Sequence, residues 1–214
     1  ESAEVVFGAS QTLERAQEFY ADVKGRMAAF GRAPDSLKIM PGLSVSVAAT
    51  HAEAEAKWNE LQDLIDPKTG LELLQERLHF DISGFDVNGT LPDMPQEVRD
   101  DSRVQLIYEM AARESMTIRD LYRHFGGTRG HRHITGSTTE VADFMEEWVA
   151  KKGCDGFNIM PPLFPAGLED FVDLVIPELQ RRGLFRNEYE GSTLRENLGL
   201  PRPPWSAGDM ERTA

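Results

Sequence analysis

The sequence predicts an α/β fold in which parallel strands alternate with helices, interrupted by a long helical segment. Three observations favour this class. Residues 1–50 read strand–helix–strand, at the spacing of a parallel βαβ unit. Residues 51–130 contain helical patterns and no convincing strand. The alternation of strand and helix then returns over residues 131–189.

The first βαβ unit is defined by hydrophobic spacing and by its glycines and prolines. Branched and aromatic residues closed by glycine predict a short buried strand over residues 3–8. Apolar residues at helical spacing predict a helix over residues 13–30, with Gly31 as its C-cap. A second strand is predicted over residues 37–49, where Pro41-Gly42 indicates a bulge or bend.

The middle of the chain is predicted to be a helical insertion. Thr50 followed by Glu53 is a capping box, which marks the start of its first helix. Residues 81–101 are rich in Gly, Pro and Asp without sustained periodicity, and a loop of that length is typically a functional lid or disordered. Helices are predicted over residues 50–65, 69–79, 102–114 and 117–125.

The last third of the chain returns to the first pattern. Extended segments are predicted over residues 133–135 and 156–160, and helices over residues 137–152 and 168–182. Pro177 is expected to kink the second of these helices, because proline cannot donate the helical hydrogen bond. The tail beyond Tyr189 is polar and rich in proline, and residues 201–214 are expected to lie on the surface or to be disordered.

The number of strands is too small for a closed α/β barrel. Only three strands are convincing, whereas a barrel needs eight over about 250 residues. The chain also begins with Glu1 rather than Met and enters a strand within five residues. We therefore expect it to be the later part of a larger protein.

Composition and charge exclude several functional classes. The 214 residues carry a formal net charge of −13, which argues against a nucleic-acid surface and against adhesion to anionic lipid. No apolar run is long enough to span a membrane, and no secretory signal opens the sequence. The single cysteine, Cys154, precludes an internal disulfide and fits a cytoplasmic location.

The densest polar cluster covers residues 126–133. It combines three glycines with Arg129, His131, Arg132 and His133. Exposed N–H groups and guanidinium forks can cradle a phosphate or an anionic substrate. The alternative is a flexible connection whose arginines pair with acidic residues. The two histidines would share one face of a strand, but no third ligand stands nearby and no metal site is predicted.

Other candidate residues carry weaker signals. Asn158 and Met160 lie at the C-terminal end of a predicted strand, where barrel active sites are built. The alternative for Met160 is that its side chain only fills the top of the barrel. His79 ends a helix, where a contact with the helix dipole is the simpler interpretation. Cys154 stands beside Asp155, which disfavours a thiolate nucleophile. No catalytic residue is assigned.

Three segments resemble a known family. They are GRAPDSLKIMPGLSVSVAATHAEAEAKWNELQDLID, GTRGHRHITGSTTEVADFMEEWVAKKGCDGFNIMPP and GLEDFVDLVIPELQRRGLFRNEYEGSTLRENLGLPRP. They are similar to flavin-dependent monooxygenases of the bacterial luciferase superfamily. The most similar subgroup is the nitrilotriacetate, dibenzothiophene-sulfone and long-chain-alkane monooxygenase type. The resemblance extends to about residue 203.

The resemblance implies the C-terminal portion of a TIM (β/α)8 barrel with a helical insertion after the seventh strand. Strands six, seven and eight would be residues 5–8, 37–47 and 156–160. The chain would then divide into barrel units over 1–50, the insertion over 51–130, the last barrel units over 131–189 and a tail over 190–214. The phosphate-binding signature of the family is absent from this chain.

The resemblance also implies a two-component reaction. A separate NAD(P)H:flavin reductase would supply reduced FMN, which with O₂ oxygenates a small organic substrate in a cytoplasmic homodimer. Candidate cofactor-binding residues are Arg129, His131, Arg132, Asn158 and Met160. Candidate substrate or lid residues are His79, Phe80 and Phe85. The alternative is a non-catalytic half-barrel that serves as a binding or assembly module.

Overall fold

The computed structural model describes residues 2–201 except residue 129, and in the helix over 102–114 it leaves the side chains of residues 102 and 103 undescribed. The chain forms two compact units. The first comprises Glu1–Gly42, Ala142–Asn158 and Ile176–Ala214. The second comprises Leu43–Val141 and Ile159–Val175.

Short strands and longer helices alternate along the described part of the chain. The strands are β1 Val5–Gly8, β2 Lys38–Ala48, β3 Arg132–Ser137 and β4 Asn158–Ile159. The helices are α1 Leu13–Arg26, α2 His51–Asp63, α3 Pro67–Leu78, α4 Gln96–Arg99, α5 Ser102–Glu114, α6 Ile118–Thr128, α7 Thr138–Ala150, α8 Ala166–Asp170, α9 Ile176–Arg181 and α10 Leu194–Asn197. Within the described residues, no helix has the length and apolar character needed to cross a membrane.

The predicted strand–helix–strand opening is confirmed in the first unit. β1 runs parallel to the beginning of β2, from the pair Val5↔Lys38 to the pair Gly8↔Pro41. The Thr12 side chain caps α1 by accepting from the Arg15 N–H at 3.4 Å. The helix passes into a 3₁₀ turn that ends at Gly31, whose φ of 65° is the left-handed conformation predicted for a C-cap.

The prediction that β1 is a buried strand is wrong for one of its faces. Val6 packs against the buried cluster formed by Met27, Leu37 and Ile39. Val5 and Phe7 point the other way, because successive side chains on a strand alternate between faces, and they are 42% and 54% exposed. Hydrophobic character alone did not reveal which face is covered.

A buried ion pair fixes the interior of the first unit. Lys24 of α1 lies 2.8 Å from Asp155, and the two side chains are only 8% and 16% exposed. The other groups on this carboxylate are the Tyr20 hydroxyl at 3.0 Å and the Ile39 N–H at 2.7 Å, both donating. Burial and the hydrogen bond to Asp155 raise the pKa of Tyr20 to about 12.

In the second unit, β3 is longer than predicted. It runs parallel to the end of β2 from Leu43↔Arg132 to Ala48↔Ser137, whereas the sequence indicated only a short extended segment at 133–135. β2 continues as a strand through Pro41-Gly42, where the sequence indicated a bulge or bend. The neighbouring strand of β2 changes at this point: the pairing with β1 ends at Pro41, and the pairing with β3 begins at Leu43.

The helices predicted for residues 51–130 are confirmed, but α3 begins earlier than predicted and α6 runs to Thr128 rather than to Phe125. Thr50 and Glu53 form both hydrogen bonds of the predicted capping box at α2. Helix α3 begins at Pro67 and not at Thr69, because Asp66 is the N-cap and accepts from the Thr69 N–H at 2.9 Å. Proline is favoured at the first helical position, where its missing N–H is not needed.

The loop over residues 81–101 is packed onto the helices of the insertion. Its Ile82 and Met94 are buried in the cluster that α3, α5 and α6 form. The first N–H groups of α6 are satisfied by this loop, since Ile118 donates to the Gly89 carbonyl at 2.9 Å and Arg119 to the Val87 carbonyl at 2.8 Å. Apart from α4, the loop has no regular structure, as predicted.

The C-terminal elements lie where the sequence placed them but differ in regularity. The regular part of the predicted strand 156–160 is only β4, and its residues are half-buried. The predicted helix 168–182 is divided into α8, a π-helical turn over Phe171–Val175, and α9. The π-helical turn ends two residues before Pro177, which has no N–H for the carbonyl four residues earlier, and the predicted kink at Pro177 stays a prediction.

Candidate functional site

The predicted glycine-arginine cluster, residues 126–133, runs from the last turn of α6 to the start of β3 within the second unit. Gly126 and Gly127 belong to the last turn of α6, and Gly130 takes a φ of 84° in the connection. Arg129 lies outside the described residues. His131 precedes β3 in a turn, with its N–H donating to the Thr128 carbonyl at 3.0 Å, so it does not share a strand face with His133.

The two helical glycines allow α6 to approach α2 closely. A Cβ atom on Gly127 would lie 2.6 Å from Gln62 Nε2 and 2.7 Å from the Trp58 ring. A Cβ on Gly126 would lie 3.2 Å from the Ile65 side chain. The end of a helix also carries partial negative charge and free carbonyl groups, which do not favour a phosphate. Helix packing therefore accounts for these glycines.

His133 is held as a neutral ring in the interior of the second unit. Its Nδ1 lies 3.0 Å from the Ser44 hydroxyl and its Nε2 lies 2.8 Å from the Thr135 hydroxyl. The ring stacks on Trp58 with centroids 3.7 Å apart. Burial lowers its pKa to about 3, with the neighbouring His124 and Arg132 contributing in the same direction.

Two buried polar side chains near this stack have unsatisfied atoms. Gln62 is 4% exposed, and neither its Nε2 nor its Oε1 has a hydrogen-bond partner in the described structure. His124 of α6 has a buried Nε2 that likewise lacks one. Burial lowers the pKa of His124, and Arg132 adds to the effect while Glu114 opposes it. Burial also lowers the pKa of His131.

Trp58 and Gln62 were not among the residues singled out from the sequence. They are four residues apart on α2, so they lie on one face of the helix. The available signal was a glutamine on the face of α2 that also carries a large aromatic residue. That signal is weak, because an amphipathic helix often places such residues at its boundary with solvent.

The remaining predicted cofactor residues lie beside β2. The Met160 N–H donates to the Leu43 carbonyl at 2.9 Å, and Leu43 is also the residue paired with Arg132 in β3, so the second unit brings Met160 and Arg132 to the same position along β2. In the first unit, the Asn158 side-chain amide donates to the Met40 carbonyl at 3.2 Å.

The predicted lid residues differ in burial. His79 is an exposed residue with a φ of 51° that ends α3. Phe80 is partly buried against the helical cluster of the insertion, and Phe85 is 45% exposed. The loop that carries Phe85 is hydrogen-bonded to α6 through the carbonyls of Val87 and Gly89, so Phe85 lies on a segment attached to that helix.

The helix N-termini that follow β2 and β3 are occupied by carboxylates of the chain itself. Glu53 closes the capping box of α2. Glu140 accepts from the Ser137 N–H at 2.7 Å and lies 3.1 Å from His51 Nδ1, and the Ser137 N–H is the main reason why its pKa is lowered. These two N-termini therefore do not fit an incoming phosphate.

Cys154 and the acidic residues offer no further reactive centre. Burial raises the pKa of the Cys154 thiol to about 12. The negative charge of Asp155, which the sequence analysis gave as the reason, also raises this pKa but is a smaller cause than burial. Across the described residues, no three His, Cys, Asp or Glu side chains converge in a way that could hold a metal ion.

Comparison with known proteins finds named monooxygenases among the relatives of this chain. No protein-family model matches the chain. It is 51% identical over 205 residues to N-acetyl-S-(2-succino)cysteine monooxygenase of Bacillus subtilis (strain 168), covering 94% of this chain and 46% of that protein. It is 50% identical over 204 residues to nitrilotriacetate monooxygenase component A of Aminobacter aminovorans, covering 94% and 45%.

A solved structure agrees with these relatives. The crystal structure of DmoA from Hyphomicrobium sulfonivorans matches with a TM-score of 0.78 at 29% identity, over 92% of this chain and 41% of that one. The chain thus spans a little under half the length of the proteins it matches. Its relatives are bacterial luciferase-like monooxygenases of the nitrilotriacetate, dibenzothiophene-sulfone and long-chain-alkane type, and its fold matches a portion of their TIM-type barrel.

Proposed function

We propose that the protein carrying this chain is a flavin-dependent monooxygenase that uses reduced FMN and O₂ to oxygenate a small organic substrate. The observation that supports this most strongly is the identity of about one half to two named monooxygenases over 94% of the chain. Because the chain spans less than half of those relatives, the proposal concerns the whole protein.

We further propose that the substrate carries carboxylate groups. The two relatives near 50% identity are named for N-acetyl-S-(2-succino)cysteine and nitrilotriacetate, both of which are polycarboxylates. Relatives at 31% identity are named for dibenzothiophene sulfone and for long-chain alkanes, which are uncharged. The greater similarity to the first pair favours an anionic substrate.

The cofactor phosphate is proposed to bind residues outside this chain. The N-termini of α2 and α7 hold Glu53 and Glu140, which would repel a phosphate at those positions. When bound, reduced FMN would supply the electrons that activate O₂. The proposed contribution of this chain is to line the pocket: Arg129, His131, Arg132, Asn158 and Met160 toward the flavin, and His79, Phe80 and Phe85 toward the substrate.

The proposed setting of the enzyme follows from the same relationship. An NAD(P)H:flavin reductase would be the partner, and a cytoplasmic homodimer the working form. The single cysteine is buried and free, which is compatible with a reducing compartment. Residues 1–50 and 131–189 would serve as barrel units, 51–130 as the insertion over the substrate entrance, and 190–214 as the tail.

The test is an oxygenation assay on the full-length protein with a flavin reductase, FMN and NADH. Nitrilotriacetate, N-acetyl-S-(2-succino)cysteine and hexadecane would be compared, with incorporation of ¹⁸O from ¹⁸O₂ into product as the measurement. We expect labelled product from a carboxylate substrate. Labelled product from hexadecane alone would contradict the substrate class, and the absence of labelled product from a folded protein that binds no flavin would favour the non-catalytic binding module.

A further inference from the structure

The first unit contains a cavity of about 220 Å³ beside the end of α1. Most of its lining is apolar and comes from β1, α1 and the segments next to them: Ala3, Val6, Val23, Met27, Phe30 and Leu37. Met27 and Leu37 are buried, whereas Ala3 is exposed and Phe30 is 54% exposed, so the cavity opens to solvent. Covering an apolar surface of this kind removes it from water, which is favourable.

The two charged residues of the lining are engaged within the same unit. Arg26 donates from Nε to the Asp22 carboxylate at 2.8 Å, and Arg32 donates to the Ser36 carbonyl at 2.9 Å. An anionic ligand would have to compete with these contacts, whereas an apolar group would leave them intact. The cavity therefore suits an apolar occupant better than an anion.

The C-terminal part of the described chain is fixed next to this cavity. The Arg195 guanidinium donates to the Pro201 carbonyl at 2.8 Å and forms an ion pair with Glu4. Glu4 is the neighbour of Ala3, which lines the cavity. Leu200 is buried at 6% exposure, which holds the backbone before Pro201 in place. The chain therefore leaves Pro201 close to the cavity, and residues 202–214 lie outside the described part.

The sequence that follows Pro201 supplies a large apolar side chain within reach. Trp205 is four residues further on, and four extended residues span at most about 14 Å. Pro203 and Pro204 favour an extended chain up to that tryptophan. An apolar cavity of about 150 Å³ holds a benzene ring, so the volume found here suits the larger indole. We propose that the Trp205 side chain occupies this cavity.

This contact would fasten the C-terminal tail to the end of α1 and the beginning of β1. A tethered side chain meets the cavity at a high effective concentration, which favours it over a separate molecule of similar chemistry. Docking would also cover Phe30, so the contribution of Phe30 to stability should depend on Trp205. The inference involves neither flavin nor substrate and stands independently of the proposed function.

The test is a double-variant cycle on the full-length protein, measured by urea unfolding. It compares the wild type, Phe30→Ala, Trp205→Ala and the variant that carries both substitutions. Phe19→Ala, made with and without Trp205→Ala, is the matched control, because Phe19 is a 41% exposed phenylalanine of α1 that does not line the cavity. Each protein is measured at two concentrations.

We expect Phe30→Ala to raise the ratio of unfolded to folded protein about fivefold more when Trp205 is present than when it is absent. The effect of Phe19→Ala should be the same in both backgrounds. An equal effect of Phe30→Ala in both backgrounds overturns the proposal. A second copy would then be the occupant if that effect changes with protein concentration, and another part of the same protein if it does not.

A fluorescence measurement tests the contact without truncating the tryptophan to alanine. Trp205→Phe keeps an aromatic ring, and subtracting its emission from that of the wild type isolates the emission of Trp205. We expect this emission to be protected from acrylamide, and the protection to decrease in Phe30→Ala but not in Phe19→Ala. Quenching of Trp205 as fast as that of free tryptophan in the folded wild type overturns the proposal.

Discussion

The buried ion pair of the first unit gives the sharpest stability prediction. Asp155→Asn keeps the shape of the side chain but removes the charge opposite Lys24, which lies 2.8 Å away and is 8% exposed. Leaving one charge of a buried pair without its partner costs about 3–5 kcal/mol. Lys24 retains the carbonyls of Leu37 and Pro34 at 2.5 and 3.0 Å, so we expect a loss near the lower limit, about 3 kcal/mol.

The assay is urea unfolding of the full-length protein, followed by circular dichroism. Asp22→Asn is the matched control, because Asp22 pairs with Arg26 on the exposed surface of the same helix, and such pairs contribute about 0–1 kcal/mol. In the double variant Lys24→Met/Asp155→Asn the isolated charge is gone, so part of the stability should return. A loss below about 1 kcal/mol for Asp155→Asn would refute the reasoning.

A spectroscopic measurement reports on the same contact. The pKa of Tyr20 is raised to about 12, first by burial and then by its hydrogen bond to Asp155. Asp155→Asn removes the charge that opposes ionisation of this phenol, so the pKa of Tyr20 should fall toward its ordinary value of about 10. Titration of the tyrosinate absorbance at 295 nm would detect the change, and an unchanged titration would mean that burial alone sets this pKa.

Four further predictions concern the second unit and the cofactor. Gly127→Ala should destabilise the protein by about 1–3 kcal/mol and change the Trp58 fluorescence, because the alanine Cβ would lie 2.7 Å from the Trp58 ring. A variant as stable as the wild type would contradict the close contact between α6 and α2. Glu140→Gln should lower the melting temperature at pH 7 but not near pH 3. The folded-state pKa of Glu140 is lowered, so the stability it contributes is present above the unfolded-state pKa and is lost as the pH falls through the folded-state pKa. A difference in melting temperature that persists in acid would disprove this assignment. The isolated 214-residue chain should bind FMN poorly, and tight stoichiometric quenching of flavin fluorescence would show that the phosphate site is present after all. Arg132→Ala in the complete enzyme should impair turnover or flavin retention, whereas unchanged kinetics would leave Arg132 with a structural role only.

Local sequence determined the helices of this chain and several of their boundaries. The Thr50–Glu53 capping box and the left-handed Gly31 were predictable, because their hydrogen bonds and backbone angles involve residues a few positions apart. The resemblance to flavin-dependent monooxygenases was also readable from continuous segments, and the comparisons confirm that similarity.

Contacts between distant residues were decided only by the tertiary structure. Nothing near Asp155 in the sequence indicates that Lys24 is its partner, and nothing near Gly127 indicates that Trp58 and Gln62 press against it. Sequence specifies local hydrogen bonds and hydrophobic periodicity, whereas burial and charge pairing depend on which distant elements pack together.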